Sequence, residues 1–118
     1  MADAGIFIGW GEPVHGRERE AIEVFDEALT YYKRLEKEGA IESWEPVFLE
    51  PHGGDLAGFI ILRGYEDKLA KLRATEEFQH LALRASLFVQ HMGVVGATVG
   101  EGVTKEMTFY TKQVAALA

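Results

Sequence analysis

The chain has 118 residues, 47% of them hydrophobic and 26% charged, with a formal net charge of −7 and no cysteine. That size and balance describe one folded domain around one core, and the acidity argues against the basic surface that nucleic acid or an anionic membrane requires. Without cysteine there are no disulfides and no thiol chemistry; with no basic leader in Met1-Ala2-Asp3-Ala4 and no apolar run near the ~20 residues of a membrane span, a cytoplasmic protein is expected.

Ala4 to Trp10, with Ile6, Phe7, Ile8 and Trp10, reads as a strand that ends in the Gly/Pro-rich stretch Gly11 to Gly16. From Arg17 the period changes: Ile22, Phe25, Leu29, Tyr32 and Leu35 recur at spacings of three and four, with Glu20, Glu23 and Glu27 on the solvated side. Lys33, Arg34 and Lys37 crowd the last turns and Gly39 follows, so this helix ends near Glu38.

Ile41 to Glu50 and Leu56 to Tyr65 form a hairpin across Pro51-His52-Gly53-Gly54-Asp55. A two-residue turn at Gly53-Gly54 sets Val47 against Ile60 and Leu49 against Gly58 on one face. Trp44, Phe48, Glu50, Phe59, Ile61 and Arg63 then share the other, with Phe48 opposite Phe59 and Trp44 opposite Arg63. A second helical region starts near Glu66, breaks at Ala74-Thr75 and runs to Met92, burying Phe78, Leu81, Ala82, Ala85, Phe88, Val89 and Met92. Val94 to Val99 is a last strand, and Val103, Met107, Tyr110, Val114 and Leu117 lie at helical spacing beyond it. The reading is one domain over residues 1–118, with a core at 5–100 and a C-terminal extension at 103–118.

The order is βαββαβ, an α+β arrangement with an antiparallel sheet. Both sheet faces are largely apolar, whereas two helices cover only one. The other face calls for a second copy packed sheet to sheet, which buries aromatic area at roughly 25 cal/mol per Å², so a homodimer is expected. Leu83 and Leu87 on the outer side of the second helical region ask for a further partner: the C-terminal helix or another subunit.

Three segments carry a likeness to a known family: the strand Leu56-Ala57-Gly58-Phe59-Ile60-Ile61-Leu62, the helix restart Thr75-Glu76-Glu77-Phe78, and the helix-to-strand passage His91-Met92-Gly93-Val94-Val95. On these the region from Ile6 to about Val99 resembles the ferredoxin-like module of the dimeric α+β barrel superfamily, with its stress-responsive barrel, EthD-like and antibiotic-biosynthesis-monooxygenase-like branches. The resemblance implies two sheets closing a barrel with a cavity inside. Its members span cofactor-free oxygenases, haem-degrading enzymes, isomerases or cyclases, and proteins without known activity.

Haem is disfavoured as a cofactor. Related haem-degrading enzymes place a histidine four residues after a phenylalanine that resembles Phe78, and that position here is Ala82. His80 lies about 200° around a helix from Ala82. For a metal, several donors must converge at about 2.0–2.3 Å, while His80 and His91 on one helix would stand roughly 16 Å apart. His15 and His52 fall in separate loops. Gly9-Trp10-Gly11 lacks a third glycine, and Gly93 to Gly102 lacks a P-loop lysine. Neither cofactor nor metal is expected.

What remains is the covered sheet face and its rim. Trp10, Trp44, Phe48, Phe59 and Ile61 offer an apolar wall for a ligand; Glu50 beside it is a candidate proton-transfer base, Arg63 a candidate holder of an anionic oxygen, and His15 or His52 a candidate acid or base at a mouth. Against that stands a plain interface core, with Arg63 stacked on Trp44 and Glu50 solvated. The primary reading is a homodimer binding a small apolar or aromatic molecule. The alternatives are a cofactor-free monooxygenase or an isomerase or cyclase, and an interaction protein without catalysis. A cavity of roughly 300 Å³ or more separates the binding readings from the last.

Overall fold

A computed structural model describes residues 2–117 of the chain. The elements run β1 (Ala4–Trp10), α1 (Glu18–Lys37), β2 (Ser43–Phe48), β3 (Gly58–Gly64), α2 (Glu66–Arg73), α3 (Glu76–Ser86), β4 (Gly93–Thr98) and α4 (Glu101–Ala116). The four strands form one antiparallel sheet in the order β2-β3-β1-β4. With α4 set aside this is the ferredoxin-like βαββαβ topology that the sequence predicts.

Alternation along the strands sorts the side chains between two faces. Ile6 and Ile8 of β1 pair with Leu62 and Ile60 of β3 and enter the core beneath the helices, where Ile6, Ile60 and Leu62 are the most enclosed large residues. Phe7, Phe59, Ile61 and Val95 take the opposite parity and line a face over which the chain lays no helix. There Phe7 stacks on Phe59 with ring centroids 5.1 Å apart, and Val95 is 54% exposed.

The hairpin register differs from expectation by one residue. Val47 pairs with Phe59, Phe48 with Gly58 and Trp44 with Leu62, so Trp44 and Phe48 lie on the helix-covered face while Phe59, Ile61 and Arg63 lie on the other. The cause is the connection. Strand pairing stops at Phe48 and resumes at Gly58, leaving the wide loop 49–57 in place of a two-residue turn. Within it Gly53 adopts φ +84°, and His52 closes the loop by accepting from the Gly54 N–H and donating to the Leu56 carbonyl. The observed register also sets Gly58 between Trp10 and Phe48, where a Cβ would come within 2.9 Å of Trp10. The flat spot is needed so that both aromatics can lie over it.

Two helix expectations also shift. On α1 the buried residues are Ala21, Val24, Tyr31, Tyr32 and Leu35, and Ile22 is 63% exposed, so the inward stripe is rotated from the one the spacing suggests. The break at Ala74-Thr75 is present, with Thr75 capping α3 by accepting from the Phe78 N–H. However, α3 ends at Ser86 rather than Met92. Residues beyond it pair instead with the loop after β1: Val14 N–H donates to the Phe88 carbonyl, Gly11 N–H to Gln90 and Gln90 N–H to Glu12. His91, with φ 55°, is therefore not on the helix with His80.

Candidate functional site

Where α1 and α3 cross the sheet, both present alanines inward: Ala21 and Ala28 from one, Ala82 and Ala85 from the other. Small side chains at those positions cannot reach Ile8, Ile60 and Val94 on the sheet below, and a cavity of about 410 Å³ opens between the layers. The 11–14 and 88–90 segments just described bound one end, through Gly11, Glu12, Pro13 and Val89. Ion pairs Arg84–Glu27 and Arg34–Glu77 clamp α1 to α3 on the outside. The mouth is marked by the exposed lining residues Glu12, Ile22 and Phe48.

Just inside that mouth is an aromatic cluster: Phe25 lies 5.8 Å from Trp10 and 5.4 Å from Phe48, ring centre to ring centre. Deeper in, Tyr32 is only 4% exposed, and its hydroxyl has no hydrogen-bond partner among the described residues. Every fully enclosed side-chain polar atom there does have one. The Tyr32 hydroxyl is therefore not fully enclosed, and its residue lines this cavity. Burial, with the neighbouring Tyr31 second, pushes its pKa up, so the phenol stays protonated and can donate. Apart from Tyr32 and Glu12, no ionisable side chain lines the cavity, and no Lys, Arg or His does.

The sequence-based candidates divide accordingly. Trp10 and Phe48 line the cavity; Trp44 packs beside Tyr32 at 5.9 Å in the adjoining core. Phe59 and Ile61 belong to the open sheet face, where Arg63 meets Glu45 at 3.3 Å instead of stacking on Trp44. Glu50 is exposed in the 49–57 loop, His15 is exposed 4.0 Å from Glu18, and His52 is occupied with its own loop. None of Glu50, Arg63, His15 and His52 lines the cavity. His80 faces a polar groove on the outer side of α1 and α3, whereas Ala82 lines the cavity. Among the described residues no three His, Asp or Glu side chains converge as a metal site, and no helix is long and apolar enough to cross a membrane.

Sequence reasoning missed Tyr32 as a site residue, reading it only as part of a helix stripe. It missed the cavity as well. The signal present was the pair of alanine sets, Ala21/Ala28 and Ala82/Ala85, at helical spacing on two elements bound to face one sheet.

No family model matches the chain, and no curated protein does. Among solved structures it is similar to a dimeric protein of unknown function and ferredoxin-like fold from Bacteroides fragilis NCTC 9343, with TM-score 0.56 and 11% identity over 81% of this chain and 96% of that one. It is likewise similar to SnoaB, a cofactor-independent oxygenase from Streptomyces nogalater, with TM-score 0.55 and 17% identity over 84% of this chain and 95% of that one. The likeness is one of fold. This chain is an α+β protein of the ferredoxin-like fold.

Proposed function

We propose that this protein binds one small, neutral, largely apolar molecule in the cavity between its helices and its sheet, with the Tyr32 hydroxyl as the polar contact. The observation that carries the reading is an unpartnered, nine-tenths buried tyrosine among the lining residues of a cavity of about 410 Å³ whose other walls are almost wholly apolar. That volume lies within the range of about 300–1,000 Å³ typical of small-molecule sites. An anionic ligand is disfavoured, because no cation lines the walls to offset its desolvation. The ligand class is an aromatic or alicyclic body bearing one carbonyl or hydroxyl oxygen.

The test is a titration with 2-naphthol followed by tryptophan fluorescence, since Trp10 stands at the mouth. Saturable binding is expected, weakened about tenfold in Tyr32→Phe, the loss of one buried hydrogen bond. Naphthalene, which cannot make that bond, should bind both forms alike. Ala82→Phe should fill the cavity and abolish binding while circular dichroism stays unchanged. Equal binding of 2-naphthol by wild type and Ala82→Phe would sink the proposal.

The open face carrying Phe7, Phe59, Ile61 and Val95 supports a sheet-to-sheet homodimer, the assembly that the Bacteroides neighbour's dimeric state also favours. Chemistry in the cavity is the second reading, favoured by the fold shared with a cofactor-independent oxygenase. In that case Tyr32 and Glu12 are the groups placed to give or take a proton. Turnover lost in Tyr32→Phe at saturating ligand, beyond the tenfold weakening of binding, would establish it.

A further inference from the structure

The last helix is at odds with the rest of the molecule. It is anchored firmly at its start: Val99 N–H donates to the Asp3 carbonyl, and Gly102 lies so close to that carbonyl that a Cβ would stand 2.4 Å from it. Thr98 donates to Glu106 at 2.5 Å. Beyond Gly102, every residue of α4 is exposed, including Val103, Met107, Phe109, Tyr110 and Val114. The radius of gyration is 16.3 Å, against about 13–14 Å for a compact domain of this length.

Such a helix does not hold itself together. Five of its sixteen residues, Val103, Thr104, Thr108, Thr111 and Val114, are β-branched, and isolated helices of about 12–15 residues are marginal in water even with favourable sequences. Packing has to supply the difference. The pattern says what kind of packing. Val103, Met107, Tyr110, Val114 and Leu117 are spaced four, three, four and three, a strict 3.5-residue repeat. That repeat makes a narrow seam suited to another helix, unlike the broader stripe by which a helix covers a sheet.

The complement must carry a seam of its own. On α3 and its C-cap the exposed large apolar residues are Leu83 and Leu87, and on α1 Ile22. Among the described residues only α4 itself offers a matching exposed row. Its charges fit a pairing with itself: Glu101 and Glu106 balance Lys105 and Lys112, leaving a neutral helix in a chain of net charge −7, with both lysines opposite the seam. Two acidic chains can therefore meet here without like-charge repulsion.

We infer that α4 is an assembly arm whose seam packs against the α4 seam of a second copy of this chain. A seam of two heptads is short of the ~1,000 Å² a free-standing interface needs. The arm therefore acts as a second attachment between chains already joined, and here the inference rests on the sheet-to-sheet dimer. Tethering raises the effective concentration of one arm for the other.

Because the chain has no cysteine, each introduced thiol is unique. Met107→Cys, Tyr110→Cys and Val114→Cys, alone and in equimolar mixtures that cover both helix orientations, are oxidised under mild conditions beside Lys112→Cys as the outward control. Interchain disulfides are expected in the seam variants at roughly a hundredfold the control rate, as for thiols held side by side. No seam variant or mixture exceeding Lys112→Cys would overturn the pairing, including the case in which α4 docks on the partner's body or on a different protein. Native mass spectrometry of the same samples separates the two ideas. Dimers without seam cross-links refute the arm alone, whereas monomers throughout refute the sheet-to-sheet dimer and the arm with it.

Discussion

The two faces of the sheet are built from alternate residues of the same strands, yet they solve opposite problems. The helix-covered face holds the aliphatic core, Ile6, Ile8, Ile60 and Leu62, and still leaves a hole where alanines on α1 and α3 fall short. The open face has no cover from its own chain, yet it carries stacked aromatics and a nearly buried Ile61. A cover does not guarantee filling, and a bare face need not be a polar one. The first suits a guest molecule and the second a partner.

The sharpest way to break that contrast is a pair of substitutions, one per face. Leu62→Ala removes a side chain with 0% exposure and should cost about 2–5 kcal/mol at every protein concentration. Val95→Asp touches a residue that is 54% exposed in the single chain, so the isolated fold should change by no more than about 0.5 kcal/mol. Its effect should appear instead as lost dimer in sedimentation and a concentration-dependent melting temperature. A Val95→Asp protein that stays dimeric at all dilutions would show that the open face is not the contact.

Glycines sharpen the same comparison at smaller scale. Gly58, on the covered side, is hemmed in: a Cβ there meets Trp10 and the Val47 carbonyl at 2.9 Å, and the carbonyl is backbone that cannot rotate away. Gly58→Ala should therefore cost about 1–3 kcal/mol in urea unfolding and loosen the Trp10–Phe48 pair at the cavity mouth. Gly93, of open-face parity on β4, has nothing within 4 Å of its hypothetical Cβ. Gly93→Ala should be neutral or stabilising by up to about 1 kcal/mol in the monomer. Any larger loss confined to the dimer would place a partner atom over it.

Much of this architecture was legible in the sequence, because its signals are local. The change of period at Arg17, Gly39 after the first long helix, and Thr75 before Glu76 each act within a few residues, and the corresponding boundaries appear in the structure. The same locality gives Thr75→Ala a defined expectation, a loss of about 1 kcal/mol in thermal unfolding from the missing cap. What was not legible depends on contacts across the chain. The register of β2 follows from a loop closed by His52, and α3 stops at Ser86 because the following backbone pairs with residues 11–14. Trp44 and Phe48 thus changed faces through geometry that periodicity does not encode. The cavity is the extreme case, since it consists of atoms that Ala21, Ala28, Ala82 and Ala85 do not have.

The smallest expected effect bears most directly on the covered face. Tyr32 ionises in the unfolded chain near its ordinary pKa of 10.0, but burial first, and Tyr31 second, raise it in the folded state. A raised folded pKa means that the folded protein holds a proton which the unfolded chain releases. The corresponding stability is complete below about pH 10 and declines as pH climbs from there toward the folded pKa. Tyr31 is raised by burial too, with the Glu77 and Glu38 carboxylates adding to the rise, but a hydrogen bond with Thr75, the second largest influence, and the Arg34 guanidinium, 5.1 Å from its ring, act the other way. Tyr32→Phe should therefore flatten the loss of stability above pH 10 more than Tyr31→Phe does, with little difference between the two at pH 7. Melting temperatures from pH 7 to 11.5 would show it. A bound neutral ligand that accepts from the Tyr32 hydroxyl raises the folded pKa further, so in wild type it should add stability at every pH and extend the decline to still higher pH without moving its onset near pH 10. In Tyr32→Phe the decline should be shallower with or without ligand, which ties the titrating group to Tyr32 and not to the exposed tyrosines of α4 or the α2 start.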